Sequence, residues 1–309
     1  MTPRHHSGFS LVELLVVLGI IGLLLAMAST GFVLVRRSAM QAEAASNVRQ
    51  LGLAWEQYSV DHLDRLVPGL MSRDAQAYEK SYLAYPDLQP ISPAPSFSPT
   101  TPNTAGPWTW RLVPYLNSDL TLLRSTSTRS DVPFDQYEEI GAEVAWKPAF
   151  SYNGWYVGGH LRIESGRSNP TVAFNKARIG DRKRENLVVD AHARFQRPGN
   201  IIIFTPGHRF DDLGSITMDT QDVSPWFEVT PRYLADVEQW RAPVPNQIEA
   251  VALGASAPTG RGGVRAPAYH GDGHTESLGI EELADQSRWI DGARNVDDIP
   301  ARDFTHEAE

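Results

Sequence analysis

Glu13 places a carboxylate directly in front of an uncharged apolar run from Leu14 to Val35. A carboxylate that is buried in lipid without a counter-charge costs several kcal/mol. The sequence places no basic residue beside Glu13 in the helix that this run predicts. We therefore expect Glu13 to find its partner outside this chain, and the chemistry that the pattern indicates is ion pairing at membrane depth.

A second polar group, in residues 270–276, could bind a divalent metal ion. If this segment is extended, the side chains of Asp272, His274 and Glu276 point to one face. Carboxylate and imidazole ligands of this kind suit divalent metals. The two glycines of the segment instead indicate a turn that leads into a strand with a polar outer face, and the sequence favours this second interpretation. No cofactor is therefore expected.

The sequence offers no recognisable catalytic machinery. It lacks a Gly-x-Ser-x-Gly elbow, a phosphate loop and a His-Glu-x-x-His helix. His160, His192 and His208 are scattered along the chain, and the acidic pair Asp211-Asp212 is a weak candidate for metal binding. We predict that the protein is not an enzyme.

The amino-acid composition limits the classes of molecule that this protein is expected to bind. The formal net charge is −9, and a surface that binds nucleic acid needs clustered Lys and Arg, so nucleic acid is not an expected partner. The chain has no cysteine, so a disulfide cannot stabilise it. With 309 residues, the chain is long enough for a sizeable packed core behind an N-terminal helix.

The apolar run has two interpretations. Its roughly 22 residues would form a helix of about 33 Å, which is close to the thickness of a bilayer core, so residues 9–35 are predicted to span a membrane. Alternatively, Leu14–Leu25 is the apolar part of an ordinary secretory signal, and cleavage after Ala28 releases an exported binding or enzymatic domain. Glu13 at the start of the run, and apolar residues beyond Ala28, argue against this alternative.

Residues 36–67 are predicted to continue the same helix as an amphipathic segment. Its apolar residues recur at spacings of three and four, and Pro68-Gly69 would end it, which predicts one helix from about Leu11 to Leu66. The stripe consists of Ala44, Val48, Leu51, Trp55, Tyr58 and His62.

Residues 68–284 are predicted to form a globular head. Residues 86–107 are rich in proline and indicate a long loop, and residues 285–309 indicate a charged, solvated or disordered tail. The run at 201–204 is apolar on both faces, which predicts a central strand. Predicted strands cover residues 150–157, 187–189, 201–205, 248–253 and 275–280. The predicted fold class is α+β, with a long N-terminal helix packed on a mostly antiparallel sheet with long loops.

The N-terminal residues Gly8-Phe9-Ser10-Leu11-Val12-Glu13 and the apolar run behind them resemble type IV prepilins and type II secretion pseudopilins. In that class, a membrane peptidase cuts after the glycine and methylates the new terminal amine. The resemblance implies that residues 1–8 are a leader peptide, that the cut separates Gly8 from Phe9, and that Phe9 becomes N-methylated. The new ammonium of Phe9 would lie one helical turn from Glu13, so the two could pair between neighbouring subunits.

Further blocks resemble a large pilin-like family that is abundant in planctomycete-type bacteria. The usual histidine of that family, about ten residues before its Asp-Gly, is replaced here by Arg261-Gly262. The matching blocks are residues 47–54, 107–116, 197–204 and 269–274.

Together, these resemblances imply a pilin-like fold and a structural role as a pseudopilin or minor pilin. The implied location is the inner membrane, crossed once, with the head on the extracytoplasmic side and a filament as the assembled state. The implied partners are a prepilin peptidase, other pilin subunits, the inner-membrane assembly platform and the lipid bilayer.

Overall fold

The computed structural model describes residues 11–71, 107–117, 120–123, 147–163, 172–174, 188–211, 213–217, 224–234, 237–260 and 265–293. Several predicted features lie outside these residues. They include the leader 1–8, the cleavage pair Gly8 and Phe9, almost all of the proline-rich loop 86–107, and the last part of the tail from residue 294.

Helix α1 (Leu11–Asp61) runs for 51 residues, about 77 Å at 1.5 Å per residue. The prediction that it continues to Leu66 was wrong. Leu63 and Asp64 adopt φ angles of 56° and 71°, in the left-handed region. After this turn, Leu66 and Val67 enter the core instead of extending the helix.

The amphipathic stripe on the second half of α1 is confirmed. Val48, Leu51, Ala54 and Trp55 are buried and belong to the core beneath the helix. His62 stays exposed at the C-terminal end of the stripe. Burial of this face holds the helix against the head, because apolar area removed from water is the main favourable term in packing.

The strands are short and mostly antiparallel, as predicted. In chain order they are β1 (Leu70–Met71), β2 (Ser151–Tyr152), β3 (His160–Ile163), β4 (Val172–Phe174), β5 (Ile202–Thr205), β6 (Gly207–Arg209), β7 (Ser215–Thr217), β8 (Tyr233–Leu234), β9 (Val237–Glu238), β10 (Trp240–Val244), β11 (Gln247–Ala250), β12 (Ser256–Pro258), β13 (Ala266–His270) and β14 (Thr275–Leu278). The α-helices after α1 are α2 (Thr109–Leu112) and α3 (Ile280–Ala284), and single 3-10 turns cover Val113–Leu116, Leu120–Leu123, His192–Arg194, Pro198–Asn200 and Gln286–Arg288.

The central sheet has the strand order β14-β13-β5-β2, and β5 lies inside it with four buried residues. One face packs on α1 through Ile203 and Tyr269. The other face packs on Leu283 and Trp289 through Ile202. Because both faces are covered, the apolar run at 201–204 has no alternating pattern, and the prediction of a central strand is confirmed.

Smaller sheets flank this centre. Strands β7, β11 and β10 form one, β12 pairs with β6, and β8 pairs with β9, all antiparallel. Strand β1 runs parallel to β3, which pairs antiparallel with β4. The described residues therefore form an α+β fold, consistent with a pilin-like architecture.

Several predicted strands were too long. The strand predicted at 150–157 stops at Tyr152, because Tyr156 and Val157 both donate backbone hydrogen bonds to the Asn153 carbonyl and close a turn. The segment 187–189 contributes only a single bridge, from Val189 to Val157, among its described residues. The strand predicted at 275–280 ends at Leu278, since Gly279 caps helix α3.

The prediction of a solvated tail from Asp285 was wrong for residues 285–293. Trp289, Ile290 and Ala293 are buried in the core behind the central sheet. The Asp291 carboxylate accepts hydrogen bonds from the backbone N–H groups of Gln196 and Arg197, at 2.6 and 2.9 Å. The scattered charges of this segment favoured a solvated tail in the sequence, although its apolar residues form a cluster that packs in the core.

Gly52 permits the closest contact between α1 and the sheet, and it yields a stability prediction. A β-carbon at Gly52 would overlap the buried ring of Tyr269. Overpacking of this kind costs about 1–3 kcal/mol, partly offset by the better helix propensity of alanine. We expect Gly52→Ala to lower the free energy of unfolding of the full chain in detergent, measured by urea denaturation. Gly22→Ala is the control, because no atom lies within 4 Å of its added carbon; equal effects of both changes would contradict the prediction.

Candidate functional site

The first half of α1 is apolar, and its described side chains are largely exposed. Leu11, Leu25 and Leu34 are 78%, 64% and 68% exposed. Among the residues of α1 whose side chains the structure describes, Ala44 is the first buried one, and packing on the head begins there. An exposed apolar surface of this size marks an interaction site or a membrane contact.

Glu13 lies in the first turn of α1, with its side chain exposed. A carboxylate at this end of a helix interacts favourably with the positive end of the helix dipole. The predicted cleavage pair, Gly8 and Phe9, precedes the described residues. Their predicted roles in cleavage and N-methylation stay predictions, as does the assembly role of Glu13.

Within the described residues, no helix combines the length and the apolar character that crossing a membrane requires. The membrane-spanning role predicted for residues 9–35 stays a prediction.

The second candidate site is the histidine cluster, defined here as His270, His274 and Glu276. One ligand atom from each residue lies within 4.8 Å of the others. The rings of His270 and His274 stack with centroids 4.3 Å apart and an angle of 5° between their planes. Glu276 brings one carboxylate oxygen to 3.1 Å from Nε2 of His270 and also accepts a hydrogen bond from Arg288.

Asp272 occupies a different place from the one predicted. It lies in the turn between β13 and β14, and its Oδ1 is 2.5 Å from Nδ1 of His274. It also accepts a hydrogen bond from the backbone N–H of His274 at 3.2 Å. Asp272 therefore orients His274, while His270 takes the place in the cluster that the sequence had suggested for Asp272.

The sequence did not predict His270 as a member of the cluster, because its place depends on strand pairing across the turn. The backbone N–H of His270 donates to the carbonyl of His274, so the two residues face each other. The available signal was the spacing of four across Gly-Asp-Gly, which is typical of a tight hairpin. Burial, together with the neighbouring His274, lowers the pKa of the His270 imidazole to about 4, so the ring is neutral near pH 7.

The other histidines that the sequence singled out lie apart. His160 and Glu228 form a buried pair, with Nε2 and Oε2 2.8 Å apart. His192 packs its ring against Trp55, with centroids 5.7 Å apart. His208 is fully buried, and neither of its ring nitrogens has a hydrogen-bond partner among the described residues. The described residues therefore do not bring these three histidines into one site.

Comparison with known proteins identifies the N-terminal segment. Residues 3–29 match the family model described as the prokaryotic N-terminal methylation motif. The chain carries this methylation motif. The match covers the predicted cleavage pair, Glu13 and much of the apolar run, and it is consistent with a type IV prepilin-like protein. No curated protein and no solved structure matched the chain.

The methylation motif confirms the resemblance to type IV prepilins at the N-terminus. A motif of this kind implies processing by a prepilin peptidase, membrane anchoring and assembly with other pilin subunits. The match ends at residue 29, so it does not test the resemblance of the head to the planctomycete-type family.

His208 gives the head a predictable acid sensitivity. Burial lowers the pKa of its imidazole from 6.5 to about 4. The contribution of His208 to the free energy of unfolding is complete above pH 6.5. It is lost as the pH falls towards 4, because only the unfolded chain then takes up the proton. The loss in the free energy of unfolding is on the order of 3 kcal/mol. We expect His208→Leu to lose less stability than the wild type between pH 7 and 4 in urea denaturation, whereas His62→Gln, at an exposed histidine, should follow the wild-type curve. Parallel curves for His208→Leu and the wild type would contradict this assignment.

Proposed function

We propose that this protein is a structural subunit, a pseudopilin or minor pilin, of a type II secretion pseudopilus or a type IV pilus-like filament. The observation that carries the proposal is the methylation motif at residues 3–29, joined to an apolar helix that the head leaves exposed. In this proposal the apolar half of α1 crosses the inner membrane once and holds the head on the extracytoplasmic side. In the filament, the same surface packs against other subunits.

The proposed processing creates the charge that assembly uses. Cleavage between Gly8 and Phe9 removes the leader and leaves the N-methylated amine of Phe9 as a cation. This ammonium lies four residues, about one helical turn, before Glu13. In the proposed filament, the Phe9 ammonium of one subunit pairs with Glu13 of a neighbour.

The energetics favour a role in register rather than in net stability. In a low-dielectric surrounding the attraction between the two charges is much stronger than in water. The cost of removing both ions from water cancels much of that gain. A subunit that stacks with both charges unpaired would lose the attraction and keep the desolvation cost, so pairing selects the correct axial position.

The head is proposed to act without catalysis. Support comes from its chemistry. The sequence has no catalytic motif. His160 lies in a buried pair with Glu228, His208 is a core residue, and the half-buried His192 packs on Trp55. In the proposed filament, all subunits share the packing helix, and the large head is the part that can differ between them.

An ordinary secretory signal, cut after Ala28, is the competing proposal. It would release a soluble binding or enzymatic domain that begins at Ser29. The length of α1 supports the first proposal over this one, because the helix continues through Ala28 to Asp61 without a break.

The mature N-terminus decides between the two proposals. We expect the intact mass of protein extracted from membranes to correspond to a chain that begins at Phe9 and carries one additional methyl group. A Gly8→Leu variant should keep residues 1–8, because the peptidase cuts after glycine. A soluble species beginning at Ser29, or a wild-type chain that retains Met1, would refute the pilin proposal.

The pairing of Glu13 has its own test. Glu13→Val should still be cleaved and methylated, because the cleavage pair is intact, but should enter filaments at least tenfold less often than the wild type when both are expressed together. Glu43→Val is the matched control, since Glu43 is an exposed carboxylate on the same helix, beyond the apolar run. Immunoblots of sheared filaments measure incorporation. Wild-type incorporation of Glu13→Val would refute the pairing while leaving the processing proposal intact.

A further inference from the structure

We propose that His270, His274 and Glu276 bind one divalent transition-metal ion, with Zn²⁺ as the ion that their chemistry fits best. The site lies in the head, far along the chain from the methylation motif. It is independent of the proposed assembly role, and each can fail without the other.

The hairpin itself brings the three residues together. Strands β13 and β14 pair so that Ala268 faces Glu276 and Tyr269 faces Thr275. Continuing this register, His270 faces His274 across the turn, and Gly273 closes the turn with a φ of +88°. Because side chains alternate along a strand, His274 and Glu276 share one face with His270.

His270 presents nitrogen atoms that the protein does not satisfy. Its side chain is 0% exposed, and neither ring nitrogen makes a hydrogen bond of acceptable geometry. Oε1 of Glu276 lies 3.1 Å from Nε2 but outside hydrogen-bond geometry. Buried polar groups in proteins are nearly always satisfied, so a buried imidazole with no hydrogen bond to the described residues requires an explanation. A metal ion bound to one nitrogen would supply the missing interaction for a neutral ring.

His274 is held in the form that a metal requires. The Asp272 carboxylate lies 2.5 Å from Nδ1 of His274, which places the proton on Nδ1 and leaves the lone pair of Nε2 free. Metal-binding histidines almost always have a carboxylate or carbonyl on the other nitrogen. Asp272 is therefore the positioning residue of the site rather than a ligand.

Glu276 completes the set and is also anchored. Arg288, in the last 3-10 turn, donates to Oε1 of Glu276. Both described contacts of Glu276 are to Oε1, so Oε2 is the oxygen that we assign as the ligand. Two imidazoles and one carboxylate, with water in a fourth position, form an open tetrahedral site of the kind that Zn²⁺ adopts. Calcium and magnesium prefer ligand sets made of oxygen alone, so the same residues should discriminate against them.

Metal binding must change the geometry of the two rings. A ligating nitrogen directs its lone pair within the plane of its own ring, and two stacked, nearly parallel rings cannot both aim at one ion. His274, which is more exposed than His270, would turn out of the stack. This movement gives the proposal a spectroscopic signature that a merely structural cluster would not show.

The experiment titrates the full chain in detergent with Zn²⁺ by calorimetry and with Co²⁺ by visible absorbance. The background is His5→Ala/His6→Ala, because His5 and His6 are adjacent in the sequence and could bind the ion themselves. We expect one ion per chain, no response to Ca²⁺ at millimolar concentration, and separate movement of the ring signals of His270 and His274 in NMR spectra. His274→Ala should weaken binding at least tenfold, and Asp272→Asn by about 10- to 100-fold.

Controls keep the test independent of folding. His62→Ala removes an exposed histidine elsewhere in the chain and should bind Zn²⁺ as the background does. Far-UV circular dichroism and urea denaturation establish that each variant is folded. The proposal is overturned if the folded background chain binds neither Zn²⁺ nor Co²⁺ at 1:1, if Ca²⁺ binds equally well, or if His274→Ala retains full affinity. The first two outcomes do not depend on any variant in the cluster.

Discussion

The rest of this structure depends on one constraint, which is that the single helix α1 lies in two different environments. Its second half is buried against the central sheet, and the described side chains of its first half are exposed. No proline interrupts α1 between Leu11 and Asp61, so the two halves form one continuous element. In the proposed function, lipid or other subunits cover the exposed apolar half. The methylation motif at residues 3–29 identifies the processing that a helix of this kind undergoes.

The contact between helix and sheet combines apolar packing with a buried chain of hydrogen bonds. Nε1 of Trp55 donates to the hydroxyl of Tyr152 at 3.2 Å, and that hydroxyl donates to the carbonyl of Val67 at 2.9 Å. Burial raises the pKa of Tyr152, so its hydroxyl keeps the proton that it donates. Each link joins a different element: α1, strand β2 and the segment after the helix. Breaking one link would leave a buried donor or acceptor unsatisfied, which costs more than the bond itself contributes.

Periodic patterns in the sequence predicted two kinds of element: a helix that buries one face and a strand that buries both faces. The stripe through Val48, Leu51 and Trp55 predicted α1, and the run at 201–204 predicted the central strand. The end of α1 was missed because Leu63 and Asp64 form a left-handed turn without the glycine that usually marks one. The buried segment 285–293 was missed because its charges are satisfied by tertiary contacts. His270 was missed because only strand register places it beside His274.

Strand β13 connects the histidine cluster to the buried second half of α1. Tyr269 points towards α1 and donates a hydrogen bond to Glu56 at 2.5 Å, while the next residue, His270, points to the opposite face of the sheet. The backbone N–H of Gly271, after His270, donates to the carbonyl of Ile201, before β5. An ion on the histidine cluster would therefore fix the end of the strand that carries the main contact of the sheet with α1. Because local opening of a hairpin breaks the contacts of both its faces together, holding one face also holds the other.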